Sequence, residues 1–126
     1  MPKIETLSKD VILNINKQFT KGDLRSDADL EFIVYKVGSI RGINKKAATL
    51  LMEIIKRHPF IDGNKRTAFD SMMTLLKLNG KELEVGDTSK LNVTFWAIRP
   101  NTTVEEVALW IANHTRWRHG TDKNSR

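Results

Sequence analysis

The sequence has no cysteine, only three prolines and seven glycines, and no repeat or Pro/Gly/Ser-rich linker. The lack of cysteine excludes disulfide bonds, thiolate metal sites and a cysteine nucleophile. No stretch approaches the roughly 18 apolar residues that a transmembrane helix needs. The N-terminal residues mix charged with apolar side chains, unlike a secretory signal peptide. These absences favour a soluble protein of the cytoplasm.

The length of 126 residues provides one domain that is large enough to bury its own hydrophobic core. Hydrophobic residues make up 40% of the chain and charged residues 29%, which is a globular rather than a disordered composition. Lysine and arginine outnumber aspartate and glutamate by 21 to 15, which gives a formal net charge of +6. A basic chain favours an anionic partner, and nucleic acid, nucleotide phosphates and an acidic protein all remain open.

Apolar residues recur at helical spacing along most of the chain, which predicts an all-α bundle of about six helices. The fourth predicted helix is apolar around much of its circumference, as the buried central helix of a bundle usually is. A short segment around Leu83 and Val85 is either a turn or a brief strand, and residues 116–126 are polar and basic and are expected to fray. The six helices are predicted to begin at Ser8, at Asp27 or Asp29, at Asn44, near Asn64, at Asp87 or Ser89, and at Thr103.

One segment concentrates the residue types that perform chemistry, with a histidine, an acid, an amide and two cations around one glycine. It reads His58-Pro59-Phe60-Ile61-Asp62-Gly63-Asn64-Lys65-Arg66-Thr67. Pro59 disfavours helical geometry at His58, so the third helix should end there and a short loop should lead into the fourth. Backbone N–H groups and the helix dipole attract anions at such a helix N-terminus. Two cations in the first turn oppose that dipole and cost stability unless an anion binds there, and the anion that we expect is phosphate.

Each side chain of this segment suits one part of a phosphoryl transfer. His58 can accept a proton near neutral pH, and Asp62 is a hard oxygen ligand of the kind that Mg²⁺ prefers. Gly63 lets the backbone approach a ligand closely, while Lys65 and Arg66 add cationic donors for phosphate. A base, a metal ligand and a phosphate cradle are what this chemistry requires, because its catalysis is mostly positioning and charge stabilisation.

Structural explanations remain open for the same residues. Taken singly, Asp62 and Asn64 are ordinary N-cap residues, and cations at a helix start also occur on solvated faces. Residues 116–118, Arg-Trp-Arg, interleave cations with an aromatic ring as nucleic-acid binders do, but they also suit a helix C-terminus, whose dipole favours cations. A non-enzymatic basic helical module that binds nucleic acid is therefore the alternative of another class. His114 and His119 have no third ligand nearby, which disfavours a zinc site.

The string HPFIDGNKRTAF, residues 58–69, resembles the signature of the Fic/Doc family, whose pattern is His-x-Phe-x-Asp/Glu-Gly-Asn-Gly-Arg. The resemblance is strongest to the death-on-curing (Doc) toxin branch, whose members place lysine where the second glycine of that pattern falls, here Lys65. Weaker similarity extends from residues 7–11 to the helix that carries Trp110. It implies a single all-α Fic/Doc-like domain over residues 1–126.

The resemblance implies a role for each position of the motif. His58 would be the general base that takes the proton from a target hydroxyl, and Phe60 would hold the loop in the core. Asp62 would bind Mg²⁺. The nucleotide phosphates would be bound by backbone N–H groups, by the side-chain amide of Asn64 and by the two cations, a set that comprises Gly63, Asn64, Lys65 and Arg66.

Two departures from the pattern of AMP-transferring relatives bear on the group that is transferred. Phe69 stands where those relatives usually carry a second arginine, and Lys65 fills part of the anion hole. Both point to transfer of the γ-phosphate of ATP, with Mg²⁺. The resemblance to the Doc branch implies that the acceptor is a threonine hydroxyl of a translation elongation factor of the EF-Tu type. Transfer of AMP or another nucleotide moiety to a protein hydroxyl is the alternative within the family.

The self-inhibitory motif of the family, Ser/Thr-x-x-x-Glu-Gly/Asn, is missing from the sequence. Thr49 with Glu53 and Thr102 with Glu106 have the first spacing, but isoleucine and valine follow the two glutamates. The resemblance therefore implies the toxin of a toxin–antitoxin pair, which a separate antitoxin protein inhibits in trans.

Overall fold

Six α-helices and a two-stranded antiparallel sheet make up residues 4–118, the part of the chain that this computed structural model describes, apart from the side chains of residues 87 and 91. The predicted all-α bundle is confirmed, since each strand contributes only three residues. None of the described helices is long and apolar enough to cross a lipid bilayer. The elements in chain order are α1 (Lys9–Lys17), α2 (Asp27–Ser39), α3 (Ile43–Arg57), α4 (Asn64–Leu78), β1 (Lys81–Leu83), α5 (Asp87–Ala97), α6 (Val104–His114) and β2 (Thr115–Trp117).

Capping side chains begin several helices where the sequence predicts a start. The Ser8 hydroxyl accepts a backbone N–H from the first turn of α1, and Thr103 forms a reciprocal capping box with Glu106 at the start of α6. α2 begins at its first acidic residue because the Ser26 hydroxyl caps it. Asn44 does not cap α3, since that helix already begins at the preceding residue. Side-chain caps thus fix the starts of three of the six described helices.

α3, rather than α4, occupies the centre of the bundle. It packs against α2, α4, α5 and α6, whereas α4 packs against α1, α3, α5 and β1. The prediction that the fourth helix is central is wrong because α2 and α6 pack mainly against α3. Even Lys46 is buried within α3, where its Nζ donates to the carbonyl oxygen of Val37 at 2.7 Å and burial lowers its pKa. The motif loop therefore follows directly from the most buried helix of the fold.

The two short strands join the residues that follow α6 to the turn after α4. They pair antiparallel, with Lys81 opposite Trp117. Leu83 therefore lies in a strand, one of the two alternatives that the sequence leaves open. The expectation of fraying is wrong for residues 116–118. Strand pairing and ion pairs from Arg116 to two glutamates hold the first two, and the Arg118 N–H donates to the Gly80 carbonyl oxygen at 2.7 Å. Residues 119–126, the remainder of that expectation, lie outside the described residues.

Candidate active site

The segment between α3 and α4 carries the motif residues and begins with a backbone turn at His58. This residue is the C-cap of α3 and has left-handed dihedral angles (φ 49°, ψ 60°), the only positive φ among the described non-glycine residues. His58 itself is exposed. Phe60 is 1% exposed, lies in the hydrophobic core and forms an antiparallel bridge with Leu24. The loop is thus anchored at its middle and leaves the histidine open to solvent.

The side chain of Asn64 closes the loop onto the start of α4. Its amide oxygen accepts the Phe60 N–H at 3.0 Å, and its amide nitrogen donates to the Phe60 carbonyl oxygen at 2.9 Å. The residue is only 9% exposed. The amide nitrogen carries a second N–H besides the one that donates to Phe60, so the contact with a phosphate that the resemblance implies for Asn64 stays a prediction. The backbone N–H of Asn64 is a further donor for an anion, because no acceptor binds it among the described residues.

The N-terminus of α4 has no side-chain cap. Gly63 is the N-cap and has a left-handed backbone (φ 75°), and its N–H donates to the Asp62 carboxylate at 2.8 Å. Among the described residues, no acceptor binds the backbone N–H groups of Asn64, Lys65 and Arg66. Free N–H groups at the positive end of a helix dipole make this turn a site for an anion.

α1 holds the motif loop in place through Asn16, a residue that sequence reasoning missed. Asn16 is fully buried, and its amide nitrogen donates to the Asp62 carbonyl oxygen at 3.0 Å and to the Thr67 hydroxyl at 2.9 Å. The Thr20 hydroxyl donates to its amide oxygen. A Cβ at Gly63 would lie 2.8 Å from Thr20 Cγ2, so only glycine fits at this contact. The available signal was an amide on the apolar face of α1, where a buried polar group needs partners.

The two cations of the motif each lie over an aromatic ring. The Lys65 Nζ is 5.4 Å from the ring centre of Phe95 in α5, and the Arg66 guanidinium carbon is 4.3 Å from that of Phe19. Cation–π contacts place these side chains without neutralising their charge. Both line a groove of about 440 Å³, whose lining residues are Lys65, Arg66, Phe69, Asp70, Lys90, Thr94 and Phe95. The groove offers positive charge beside an aromatic surface.

Asp62 opens onto a different cleft, of about 330 Å³, which is lined by Thr20, Lys21, Asp23, Ile61 and Asp62. Its Oδ1 accepts the Gly63 N–H, and its Oδ2 has no protein partner within residues 4–118. In the described part of the chain, no group of three or more His, Cys, Asp or Glu residues is arranged to hold a metal ion. A single carboxylate such as that of Asp62 suffices where Mg²⁺ takes its other ligands from water and substrate phosphates.

A cluster of charged side chains lies at the C-terminus of α3, which ends directly before His58. Burial raises the pKa of the Glu53 carboxyl, but hydrogen bonds from Arg57 at 2.7 Å and Lys36 at 3.0 Å outweigh that effect, so the pKa lies below its usual value. The hydrogen bond to Glu53 raises the pKa of Arg57, whose guanidinium also donates to Asp29 at 3.2 Å. The cluster is therefore ionised, and it joins α2 to the end of α3.

Two other clusters that the sequence singles out are engaged in local contacts. The Nδ1 atom of His114 lies 2.7 Å from the Trp110 carbonyl oxygen, and the two rings stack with centroids 4.3 Å apart. His119, the second histidine of that pair, lies outside the described residues. The Trp117 ring lies 5.1 Å from the Lys81 Nζ, across the two strands. These contacts account for His114 and Trp117 without a ligand.

Comparisons with known proteins connect this geometry to a family. A family model described as the Fic/DOC family matches residues 6–76, which run from just before α1 almost to the end of α4 and include the whole motif loop. Toxin Doc of Mycolicibacterium smegmatis is 42% identical over 50 residues, which make up 40% of this chain. The aligned part covers 38% of the length of that relative, so the chain matches well under half of it.

Proposed function

The chain belongs to the Fic/DOC family, and from this premise we propose that it transfers the γ-phosphate of ATP to a hydroxyl group of a target protein. One observation carries the proposal. The uncapped N-terminus of α4 lies between an exposed carboxylate, Asp62, and two exposed cations, at the end of a loop that begins with the exposed His58. The candidates for an anion site, a metal ligand and a base thus lie on one short segment, which is the set that phosphoryl transfer requires.

The residues of the loop fit Mg²⁺ and the nucleotide phosphates. Asp62 would hold the metal through Oδ2, since its Oδ1 already accepts the Gly63 N–H. The free backbone N–H groups at the start of α4 would bind phosphate oxygens, and Arg66 would add a guanidinium that its contact with Phe19 keeps in place. When bound, Mg²⁺ neutralises charge on the phosphate oxygens.

The proposed reaction is an in-line displacement at the γ-phosphorus. The oxygen of the target hydroxyl bonds to that phosphorus, the bond to the bridging oxygen of the β-phosphate breaks, and ADP leaves. His58 accepts the proton of the hydroxyl, which its exposed position allows. The backbone N–H groups and Arg66 stabilise the charge that spreads over the transferred group.

Two residues support transfer of phosphate rather than of AMP. Lys65 adds volume and positive charge beside the N–H groups of the first turn, where the AMP-transferring pattern has glycine. Phe69 lines the groove but is only 7% exposed, and its apolar ring offers no ionic contact to a phosphate where that pattern has arginine. Both differences disfavour seating the α-phosphate in front of His58.

The proposal is tested with ATP that is labelled at either the γ- or the α-phosphate. With Mg²⁺ and a cell extract, we expect a protein to gain label from γ-labelled ATP and none from α-labelled ATP. Asp62→Asn should weaken the dependence of the reaction on Mg²⁺, because the neutral amide is a poorer ligand for that cation. Label from the α position would instead support AMP transfer. A folded protein that transfers neither label, and whose nucleic-acid affinity falls steeply with salt, would favour the non-enzymatic alternative.

We further propose that the acceptor is a threonine of a translation elongation factor of the EF-Tu type, and that the chain is the toxin of a toxin–antitoxin pair. The similarity to Toxin Doc supports this reading. Inhibition would come from a separate antitoxin protein, whose helical segment would enter the groove beside α5. The cations and aromatic rings of that groove suit an acidic, amphipathic helix.

Overexpression of this chain alone is expected to arrest growth, and coexpression of the small protein encoded beside it is expected to relieve the arrest. Phe95, which is 48% exposed in the groove, should be needed for that relief, because Phe95→Glu places a charge where the helix would bury an apolar face. Leu109→Glu is the matched control, since Leu109 is 63% exposed on α6 and does not line the groove. Harmless overexpression of folded protein would contradict the toxin assignment.

A further inference from the structure

We propose that Arg25 is a positioning residue, whose guanidinium fixes the backbone of His58 and thereby sets the direction of the imidazole. The inference rests on the proposed function, in which His58 is the base. Arg25 lies in the segment between α1 and α2, and it lines neither of the two clefts described above. Any effect on the reaction therefore has to act through the residues that it holds.

Arg25 binds three consecutive carbonyl oxygens at the end of α3. Its Nε donates to the oxygen of His58 and its Nη2 to that of Arg57, both at 2.5 Å. Its own backbone N–H donates to the oxygen of Pro59 at 2.7 Å. No helical N–H is available to carbonyls at a helix C-terminus, and the two-pronged guanidinium supplies both the missing donors and a charge that complements the dipole.

The backbone that Arg25 holds is strained. His58 adopts φ 49° and ψ 60°, a left-handed conformation that is unfavourable for an L-residue with a Cβ. Such a conformation persists only where the surroundings hold it, and it tends to occur at functional sites. Besides the Arg25 contacts, the His58 N–H donates to the Ile54 carbonyl oxygen at 3.1 Å. A change in this φ would rotate the Cα–Cβ bond and move the imidazole. By holding the backbone, Arg25 therefore fixes the orientation of the proposed base.

Asp29 joins the Arg25 guanidinium to a wider network of hydrogen bonds. Its Oδ2 accepts from Arg25 Nη2 at 3.1 Å, and its Oδ1 accepts from the guanidinium of Arg57 at 3.2 Å. Arg57 in turn lies 4.1 Å from the ring centre of Phe32 and donates to Glu53. The guanidinium that holds the turn is therefore itself held by α2 and α3.

Arg25→Met tests this role, with Arg25→Lys as the conservative variant and Arg116→Met as the matched control. Arg116 likewise forms ion pairs, with Glu82 and Glu84 where Arg25 has Asp29, and its side chain is similarly exposed, but it lies on the sheet. With an EF-Tu-type factor as acceptor, we expect Arg25→Met to lower kcat about 10- to 100-fold, because small misplacements of reacting groups have effects of this size. The KM for ATP should stay within about twofold, since the phosphate-binding turn is untouched. Arg25→Lys should have a higher kcat than Arg25→Met, because an ammonium keeps the positive charge although it lacks the planar, two-pronged donor geometry of a guanidinium.

Hydrogen exchange of backbone amides provides a readout that does not depend on activity. Faster exchange at the His58 N–H in Arg25→Met, with unchanged exchange in α4, is the expected result, and Arg116→Met should match the native protein. Native exchange at His58 together with native kcat would overturn the proposal. A KM for ATP that rises as much as kcat falls, with faster exchange throughout α4, would also overturn it by showing a general structural role. If the native protein transfers no phosphate, the proposed function fails, and the exchange at His58 still decides whether Arg25 holds the turn.

Discussion

Replacing His58 by alanine is expected to lower the rate of transfer by about 10²- to 10⁴-fold, the usual effect of removing a general base. His58 is exposed and lies at the end of α3, so the loss should not come from a lost core contact. The measurement is kcat with ATP and Mg²⁺, together with the thermal unfolding temperature. Near-native turnover with an unchanged pH profile would show that His58 is not the base.

The left-handed backbone at His58 calls for a second variant that separates chemistry from conformation. Asparagine tolerates a positive φ better than most residues and lacks a comparable base, so His58→Asn should keep the turn and still lose turnover. His114→Asn is the control, because His114 packs on Trp110 away from the motif loop. Loss of activity in His58→Ala but not in His58→Asn would assign the residue a conformational role instead.

Gly63→Ala is expected to destabilise the fold by about 2–5 kcal/mol, the sum of a backbone cost and a packing cost. Its φ of 75° costs an L-residue roughly 1–2 kcal/mol. The added Cβ would also lie 2.8 Å from Thr20 Cγ2, and such overpacking typically costs about 1–3 kcal/mol. Nucleotide binding should weaken as well, because the same residue is the N-cap of α4. Denaturant unfolding and calorimetric titration with ATP measure the two effects.

Thr20→Ser separates the two causes of that destabilisation. Serine retains the hydroxyl that donates to Asn16 but lacks the Cγ2 atom that the new Cβ would contact. The double variant Gly63→Ala/Thr20→Ser should therefore regain the stability lost to overpacking, but not the stability lost to the unfavourable backbone conformation. Gly38→Ala is the control of opposite sign. It lies in α2 with no heavy atom within 4 Å of an added Cβ, and it should stabilise the fold by up to about 1 kcal/mol. Equal stability of native protein and Gly63→Ala would contradict the close packing of the loop on α1.

The sequence was informative where a structure depends on neighbours along the chain. The Ser8 cap, the Thr103 capping box and the loop that follows His58 all arise from residues within one or two turns of each other. The motif itself could be recognised for the same reason, since its residues lie on one loop and the first turn of one helix. Its chemistry could therefore be proposed before any tertiary contact was known.

Tertiary contacts decided the features that the sequence did not reveal. Asn16 reaches Thr67 across 51 residues, and Arg25 reaches the His58 carbonyl across 33 residues. Neither pairing has a spacing that a periodic pattern could show. The side-chain amide of Asn64 binds the backbone only four residues away, but its N–H donors would also suit a phosphate, so the sequence did not distinguish the two partners. The central place of α3 likewise depends on which helices surround it.

Intact mass of the acceptor protein, after incubation with Mg²⁺, ATP and a cell extract, tests the central claim most directly. γ-Phosphate transfer predicts that the native protein adds the mass of one phosphate group and that Lys65→Gly loses much of this activity. Lys65→Met shows whether the charge or the volume of the side chain is needed, and Phe69 should keep any gain of AMP transfer small. An increment of the size of an adenylate, added by the native protein, would contradict the assignment as a phosphate-transferring enzyme.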